Sequence, residues 1–371
     1  MKRLLCIIDS LNVGGAETFL MKVMRCLPPE EYAFDFIVSK DGGVYEQEIL
    51  DRGGKIFVVP PRRQNLSAAW KRIRAIVKDN GYSYVFRLGD SPVVGLDLLA
   101  ARRGGARHLS FRSCNALTGL SFKERALNAV TRPILNRITE TKIAPSMLAA
   151  EFTFGARRAR SEAHILHNGV DLKRFCYDVQ GREAIRAEFG LQDRLVVGHV
   201  GRFHKQKNHR YLLEVFAKIA RNRDDAALLL IGTGEDRDRI DEWTRELGLE
   251  GRVILAGQRF DIPQLLSAMD VFVFPSLHEG MPNTVIEAQA TGLPCVIADT
   301  ITTEANITGL VQYLSLSLSP EEWATVAVEA AKGPRKDTHR DFLEHGYDIE
   351  RVAYELVSLL TMTEKDGRRM K

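Results

Sequence analysis

Twice along this chain, short apolar and β-branched runs alternate with amphipathic stretches, and this alternation restricts the fold more than any other feature. In the first half, residues 4–9, 33–38, 56–59, 84–88 and 108–112 read as buried strands. Residues 16–27, 44–52, 66–80 and 93–103 lie between them as helices. The pattern restarts at 195–200 and continues through 227–231, 253–256, 271–274 and 295–298. Strands that alternate with helices predict parallel sheets covered on both faces, and 371 residues suffice for two such domains. The turn signal His167-Asn168-Gly169-Val170-Asp171 and the polar stretch after it place the junction at about residues 171–193. We therefore divide the chain into domains 1–175 and 176–371. The last helix, 349–360, is expected to pack back on the first domain, ahead of a frayed, charged tail at 364–371.

Composition narrows the class. A hydrophobic fraction of 45% and a charged fraction of 27% suit a soluble globular protein. The five cysteines (Cys6, Cys26, Cys114, Cys176 and Cys295) are scattered without ligand spacing, which predicts a reduced cytosolic protein without structural zinc. Met1-Lys2-Arg3 precedes an apolar run too short for a signal peptide. No stretch approaches the roughly 20 apolar residues of a membrane span. Residues 1–165 carry 26 Lys and Arg against 16 Asp and Glu, whereas the remainder carries 26 against 32. A basic half attracts anionic headgroups or phosphorylated substrates, or serves solubility alone. No nucleic-acid-binding motif accompanies the charge, so nucleic acid is not an expected partner.

Ligands of open α/β sheets bind beyond the carboxyl ends of the strands, and the informative motifs stand there. After the strand 195–200 comes Gly201-Arg202-Phe203-His204-Lys205-Gln206-Lys207-Asn208. Gly201 permits a tight exit, and Arg202 and Lys207 are two cations able to neutralise a diphosphate leaving group. After the strand 271–274 comes Pro275-Ser276-Leu277-His278-Glu279-Gly280-Met281-Pro282-Asn283-Thr284-Val285-Ile286-Glu287. Pro282 suits a first helical turn, which offers N–H groups and a positive dipole end to a phosphate. Glu279 and Glu287 are suited to accept hydrogen bonds from sugar hydroxyls. Their interval recurs at Glu242/Glu250 and Glu321/Glu329, so context rather than spacing separates them. Asn12-Val13-Gly14-Gly15-Ala16-Glu17 follows the first strand and offers backbone amides to a phosphate or sugar. Gly232-Thr233-Gly234 lacks the third glycine of a dinucleotide fingerprint and reads as a tight turn. Asp236-Arg237-Asp238 reads as helix N-terminal charge rather than a metal ligand pair.

In order and interval these landmarks resemble glycosyltransferase family 4, the retaining group that includes bacterial exopolysaccharide and capsule enzymes. The set comprises Gly14-Gly15-Ala16-Glu17, His167 to Asp171, Gly201-Arg202 with Lys207-Asn208, and Glu279-Gly280-x-Pro282-Asn283 through Glu287-Ala288. The resemblance implies the GT-B fold, two Rossmann-like α/β domains facing across a cleft, with acceptor bound by the first and donor nucleotide by the second. It implies that Arg202 and Lys207 grip the diphosphate of a UDP- or GDP-sugar. Glu279 would bind the sugar and Glu287 the ribose, with Gly280, Met281, Pro282, Asn283 and Thr284 around sugar and phosphate. Residues 258–261 would lie near the base, and Gly14 and Gly15 at the reacting centre. Retention would proceed by front-face attack without a protein nucleophile, an obligatory cofactor or a metal.

Relatives commonly carry histidines where this chain has Arg112 and Cys114, ahead of Asn115. Residues 121–137, with Lys123, Arg125, Arg132 and Arg137, and then Arg157, Arg158 and Arg160, combine apolar and basic character. They predict contact with an anionic membrane at the cytoplasmic face and a saccharide or lipid-linked acceptor, although Pro133 is expected to interrupt any long helix. Two other readings remain open at this level. One is a sugar-nucleotide epimerase on the same fold; the other is a non-catalytic nucleotide-sugar-binding partner of a transferase.

Overall fold

The computed structural model describes residues 1–114 and 120–361; Asn115 and the tail 364–371 fall outside the described residues. The chain divides into two compact units, Met1–Gly169 together with the helix that begins at Ile349, and Val170–Asp348.

The first unit holds β1 (Lys2–Ile7), β2 (Tyr32–Val38), β3 (Ile56–Val58), β4 (Tyr84–Gly89), β5 (His108–Ser113), β6 (Thr141–Ala144) and β7 (Ala163–Ile165). They form one parallel sheet in the order β3-β2-β1-β4-β5-β6-β7. One face is covered by the helix Gly15–Cys26 and the final helix Ile349–Thr361, whose Val352, Leu356 and Leu360 join Leu4, Phe19 and Phe86 in a core. Ile73, Val77, Leu98 and Leu135 pack on the other face.

The second unit holds β8 (Leu195–Val200), β9 (Ala226–Ile231), β10 (Val253–Gly257), β11 (Val271–Phe274), β12 (Cys295–Ala298) and β13 (Val311–Leu314). Its parallel order is β10-β9-β8-β11-β12-β13. The polar stretch where the sequence suggests a junction gives Leu172, Phe175, Ile185 and Leu191 to this unit's core.

Three strands escape the sequence pattern. β6, β7 and β13 are three or four residues long, and Lys142, His164 and Gln312 interrupt their apolar runs. Lys142 is buried, with its ammonium on the Thr139 carbonyl at 2.9 Å and on Glu162 at 3.0 Å. Pro133 also behaves differently from expectation, because the helix Phe122–Ile138 runs through it. Pro133 and Ala129 both lie on the exposed face, so the carbonyl that proline leaves without an N–H donor meets solvent.

Both sheets are doubly wound. The strand order reverses between β1 and β4 in the first and between β8 and β11 in the second. Loops leaving such a pair of strands diverge and leave room for a ligand.

Candidate functional site

In the second unit the reversal brings together two loops 72 residues apart in sequence. Lys207 Nζ donates to Glu279 Oε1 at 2.6 Å, with the two side chains 17% and 11% exposed. The ammonium also stands 4.6 Å above the Phe274 ring, at the end of β11. Backbone and side-chain bonds pin the loops. The Leu277 N–H donates to the Gln206 carbonyl at 2.8 Å, and Gln206 Nε2 donates to the His278 carbonyl at 2.7 Å. Local geometry presents Lys207 at the end of a single 3₁₀ turn, Lys205–Lys207, capped by the His204 ring. Asn208 then takes a left-handed conformation (φ 56°) and begins the helix His209–Asn222.

Arg202 is exposed on the same loop, with no bonding partner among the described residues. Gly280 and Met281 continue the second loop, and Pro282 stands at the N-cap of the helix Asn283–Ala290, one position before the first turn. Proline supplies no side-chain cap, so no N-cap side chain covers the positive end of this helix, four residues after Glu279 in the chain. Asn283 and Thr284 form its first turn, and Glu287 follows half-buried on the side of Asn283. Gln289 anchors the helix from beneath. Its amide donates to the Ala305 carbonyl at 2.7 Å and accepts from the Ile307 N–H at 3.0 Å.

Sequence spacing gave no role to the residues under the Lys207 loop. His199, on β8, is fully buried against Phe272 and Phe274, with ring centroids 6.0 and 5.2 Å away. His209 packs edge-on to it at 5.0 Å and edge-on to Phe203 at 5.0 Å. Burial, and then the nearby His209 and Lys207, hold His199 well below its usual range. Burial likewise pushes His209 down to about 4. Both rings are neutral at physiological pH. Gly232-Thr233-Gly234 proves to be a packing device. A Cβ on Gly232 (φ +136°) would stand 2.0 Å from the Gly201 carbonyl oxygen, and one on Gly234 2.2 Å from that of Phe203. The Phe203 N–H donates to Thr233 O at 2.9 Å, so this turn shapes the Gly201 loop.

Asp236 and Asp238 stand at the N-cap and in the first turn of the helix Arg237–Glu246, and Arg239 bonds Asp236 at 3.2 Å. In the segment 258–261, Arg259 bridges Glu188 and Asp261, each at 2.6 Å, and leaves the Phe260 ring exposed. Among the described residues no group of three His, Cys, Asp or Glu is placed to hold a metal.

The first unit places Gly14 at the N-cap of Gly15–Cys26, in extended conformation. A Cβ there would meet Glu17 Oε2 at 2.4 Å, so the glycine makes room for a carboxylate folded back over the turn, whereas Gly15 faces open space. Burial and the charges of Asp9 and Asp90 raise the Glu17 carboxyl. Arg112 is not presented to a ligand. It is buried with its guanidinium 3.9 Å over the Phe19 ring and donates to Asn168 Oδ1 at 2.7 Å and Leu166 O at 3.2 Å. It thereby ties β5 to the His167–Asp171 motif, and burial lowers it to about 10. Burial also pushes the half-buried Cys114 thiol up to about 12, so it is not a thiolate nucleophile.

Comparison with known proteins converges on one assignment. The family described as Glycosyltransferase Family 4 matches residues 13–174, and that described as Glycosyl transferases group 1 matches residues 194–332. A Bacillus subtilis protein carrying the provisional name glycosyltransferase EpsF is 35% identical over 99% of both chains. The chain belongs to glycosyltransferase family 4. An Escherichia coli family relative, UDP-Gal:alpha-D-GlcNAc-diphosphoundecaprenol alpha-1,3-galactosyltransferase, is 37% identical over 77% of this chain and 76% of its own. Anabaena HepE, solved with UDP and glucose, superposes with a TM-score of 0.79 over 98% of this chain and all of its own, at 17% identity. WaaG, a glycosyltransferase involved in lipopolysaccharide biosynthesis, gives 0.73 over 97% and 100%, at 15% identity. The family 4 chain therefore has the GT-B fold, and it is a retaining glycosyltransferase that takes its sugar from a nucleotide-sugar. No helix among its described residues is long and apolar enough to cross a membrane.

Proposed function

We propose that this enzyme moves a hexosyl group from a UDP- or GDP-sugar, bound by its second unit, to a saccharide or lipid-linked acceptor of cell-surface polysaccharide. The observation that carries the reading is the Lys207–Glu279 pair at 2.6 Å, beside an uncapped helix start and the exposed Arg202. Arg202 and Lys207 neutralise the diphosphate, and Glu279 accepts hydroxyl hydrogen bonds from the sugar. Glu287 takes the ribose, and backbone from Gly280 to Thr284 lines sugar and phosphate. The bond from the anomeric carbon to the diphosphate breaks while the acceptor oxygen bonds to that carbon on the same face. The acceptor's proton passes to a phosphate oxygen of the departing diphosphate. Two fixed cations and a helix dipole stabilise the developing charge, and this route requires neither a cofactor nor a metal. Gly14 and Gly15 serve the acceptor-side unit.

UDP in the HepE structures and a UDP-sugar in the Escherichia coli relative's name favour UDP over GDP. That relative's diphosphoundecaprenol acceptor supports a lipid-linked substrate reached from the cytoplasmic face of a membrane. The helix Phe122–Ile138 suits that location. Phe122, Leu127, Val130 and Ile134 are exposed, with Lys123, Arg125 and Arg137 exposed around them. Arg158 and Arg160 are engaged with Glu162 and Glu151 and add less.

Donor-dependent transfer by Glu279→Ala tests the reading. Transfer should fall about 10³-fold while UDP binding by calorimetry stays within about threefold, because the carboxylate meets sugar rather than nucleotide. Wild-type transfer by this variant would remove Glu279 from the donor site. A thermal-shift panel of UDP-, GDP- and ADP-sugars names the base, since a ligand bound to the native state raises its melting temperature.

A further inference from the structure

We propose that His199 is a positioning residue for the donor diphosphate: its Nε2 lone pair is an acceptor reserved for the Lys207 ammonium when the donor sugar occupies Glu279. The inference rests on the reading of Lys207 as a diphosphate ligand and goes beyond it.

His199 Nδ1 lies 3.0 Å from the Val273 carbonyl oxygen. A carbonyl only accepts, so Nδ1 carries the hydrogen, and in a neutral ring Nε2 is then a bare lone pair. That nitrogen is buried and has no partner among the described residues. An orphaned acceptor in a closely packed core is costly, and its retention calls for a reason.

The surroundings of Gly201 supply one. The position where a side chain would stand on Gly201 is empty, with His199 Nε2 3.1 Å and Lys207 Cε 3.3 Å from it. His199 Nε2 and the tip of Lys207 therefore border the same unfilled space beside a glycine. Glu279 is the ammonium's one carboxylate partner among the described residues, and the sugar hydroxyls are expected to compete for that same carboxylate. An ammonium has three N–H donors. Once the sugar shares Glu279, His199 Nε2 keeps a second acceptor in place, so that the remaining donor stays aimed at phosphate. The Phe272 and Phe274 rings fix the imidazole plane, and Phe274 also underlies the ammonium. A flexible lysine thereby acquires one direction at the moment of donor binding.

The test compares His199→Phe, His199→Gln and Lys207→Ala in the full chain. Phenylalanine keeps the aromatic packing and removes the lone pair, whereas glutamine's amide oxygen reaches the place of Nε2. His199→Phe should raise the donor KM about tenfold with kcat and acceptor KM within about twofold, since the contact is made in ground and transition states alike. Its melting temperature at neutral pH should change little, because removal of the unpaired Nε2 offsets loss of the Nδ1–H bond to Val273. His199→Gln should recover most of the donor KM. A purely structural histidine would give the reverse pattern, with lower melting temperature and unchanged donor KM in the folded fraction. That result, or a donor KM within twofold of wild type, overturns the proposal. If Lys207→Ala also leaves donor binding intact, the diphosphate reading itself fails. If Lys207→Ala alone is impaired, only the role of His199 fails.

Discussion

The two sheets reverse their winding in the same way, yet the charges at the two reversals are used differently. At the first, Arg87 leaves β4 only 1% exposed and meets Asp97, 2% exposed, at 3.2 Å, and Asp9 at 2.9 Å. It also donates to the Ile7 carbonyl at 3.0 Å, and Arg62 closes the ring on Asp9 and Asp97. Burial pushes Asp9 up, but Arg87 and Arg62 outweigh it and hold the carboxyl below its usual range. At the second, Lys207 and Glu279 form one pair that still reaches solvent, and the His199 nitrogen that borders the same glycine as Lys207 has no partner among the described residues. A charge held by several partners is scaffold. A pair with spare donors and acceptors is ready to exchange one partner for a ligand.

Arg87→Met should produce the largest effect. It strands Asp97 in the interior with Arg62 alone, and urea unfolding should show a loss of about 3–5 kcal/mol. A loss below about 1 kcal/mol would mean that the first reversal is not scaffold. Lys207→Ala comes next and should divide the other way. Its pair is mostly buried but reaches solvent, so stability should fall by about 1–2 kcal/mol, less than for Arg87→Met. UDP affinity by calorimetry should fall about a hundredfold, and the difference from wild type should shrink at high salt. A stability loss matching that of Arg87→Met would erase the contrast.

The last contrast is carried by the second unit's two buried histidines; it is nil at neutral pH and grows only on acidification. His199 and His209 stay neutral in the folded chain, and His209 does so down to about 4. In the unfolded chain both take up protons near pH 6.5, so stability falls as pH drops below that value. The slope is up to about 1.4 kcal/mol per pH unit for each ring, and for His209 it ends near its folded pKa. Glu17 and Asp90, which burial raises, act in the opposite direction. The informative quantity is therefore wild type minus the His199→Phe/His209→Phe double variant. That difference should be flat above pH 7 and should fall between about pH 6.5 and 4. No fall would show that the rings protonate in place.

Local patterns carried most of the fold. Strands such as Leu195–Val200 and Val271–Phe274 announce themselves as unbroken apolar runs because both faces of a parallel sheet are covered. The two loops of the candidate site were legible for the same reason, since Gly201 and Glu279 follow such runs closely. What spacing could not supply was adjacency. β8 pairs with β11 across two intervening strands, and only that crossover places Lys207 against Glu279. Arg112 shows the converse limit. Its place at a strand end suggests a ligand, but the residue's side of the pleat turns it onto Phe19 and Asn168. His199 is the one polar side chain in the run Leu195–Val200, and nothing local to that run shows that Lys207 borders the same glycine.

The helix Ile349–Thr361 completes the core that covers β1 and β4, although the chain between Gly169 and Ile349 builds the other unit. A ribosome therefore releases the ingredients of the first unit in two instalments. Leu4, Phe19 and Phe86 emerge early and wait for Leu356 and Leu360 while the whole second unit is synthesised, roughly ten to forty seconds at ordinary elongation rates. During that interval the nascent first unit is a sheet with one face partly bare, the state a holdase recognises, whereas the second unit can close as soon as it leaves the exit tunnel.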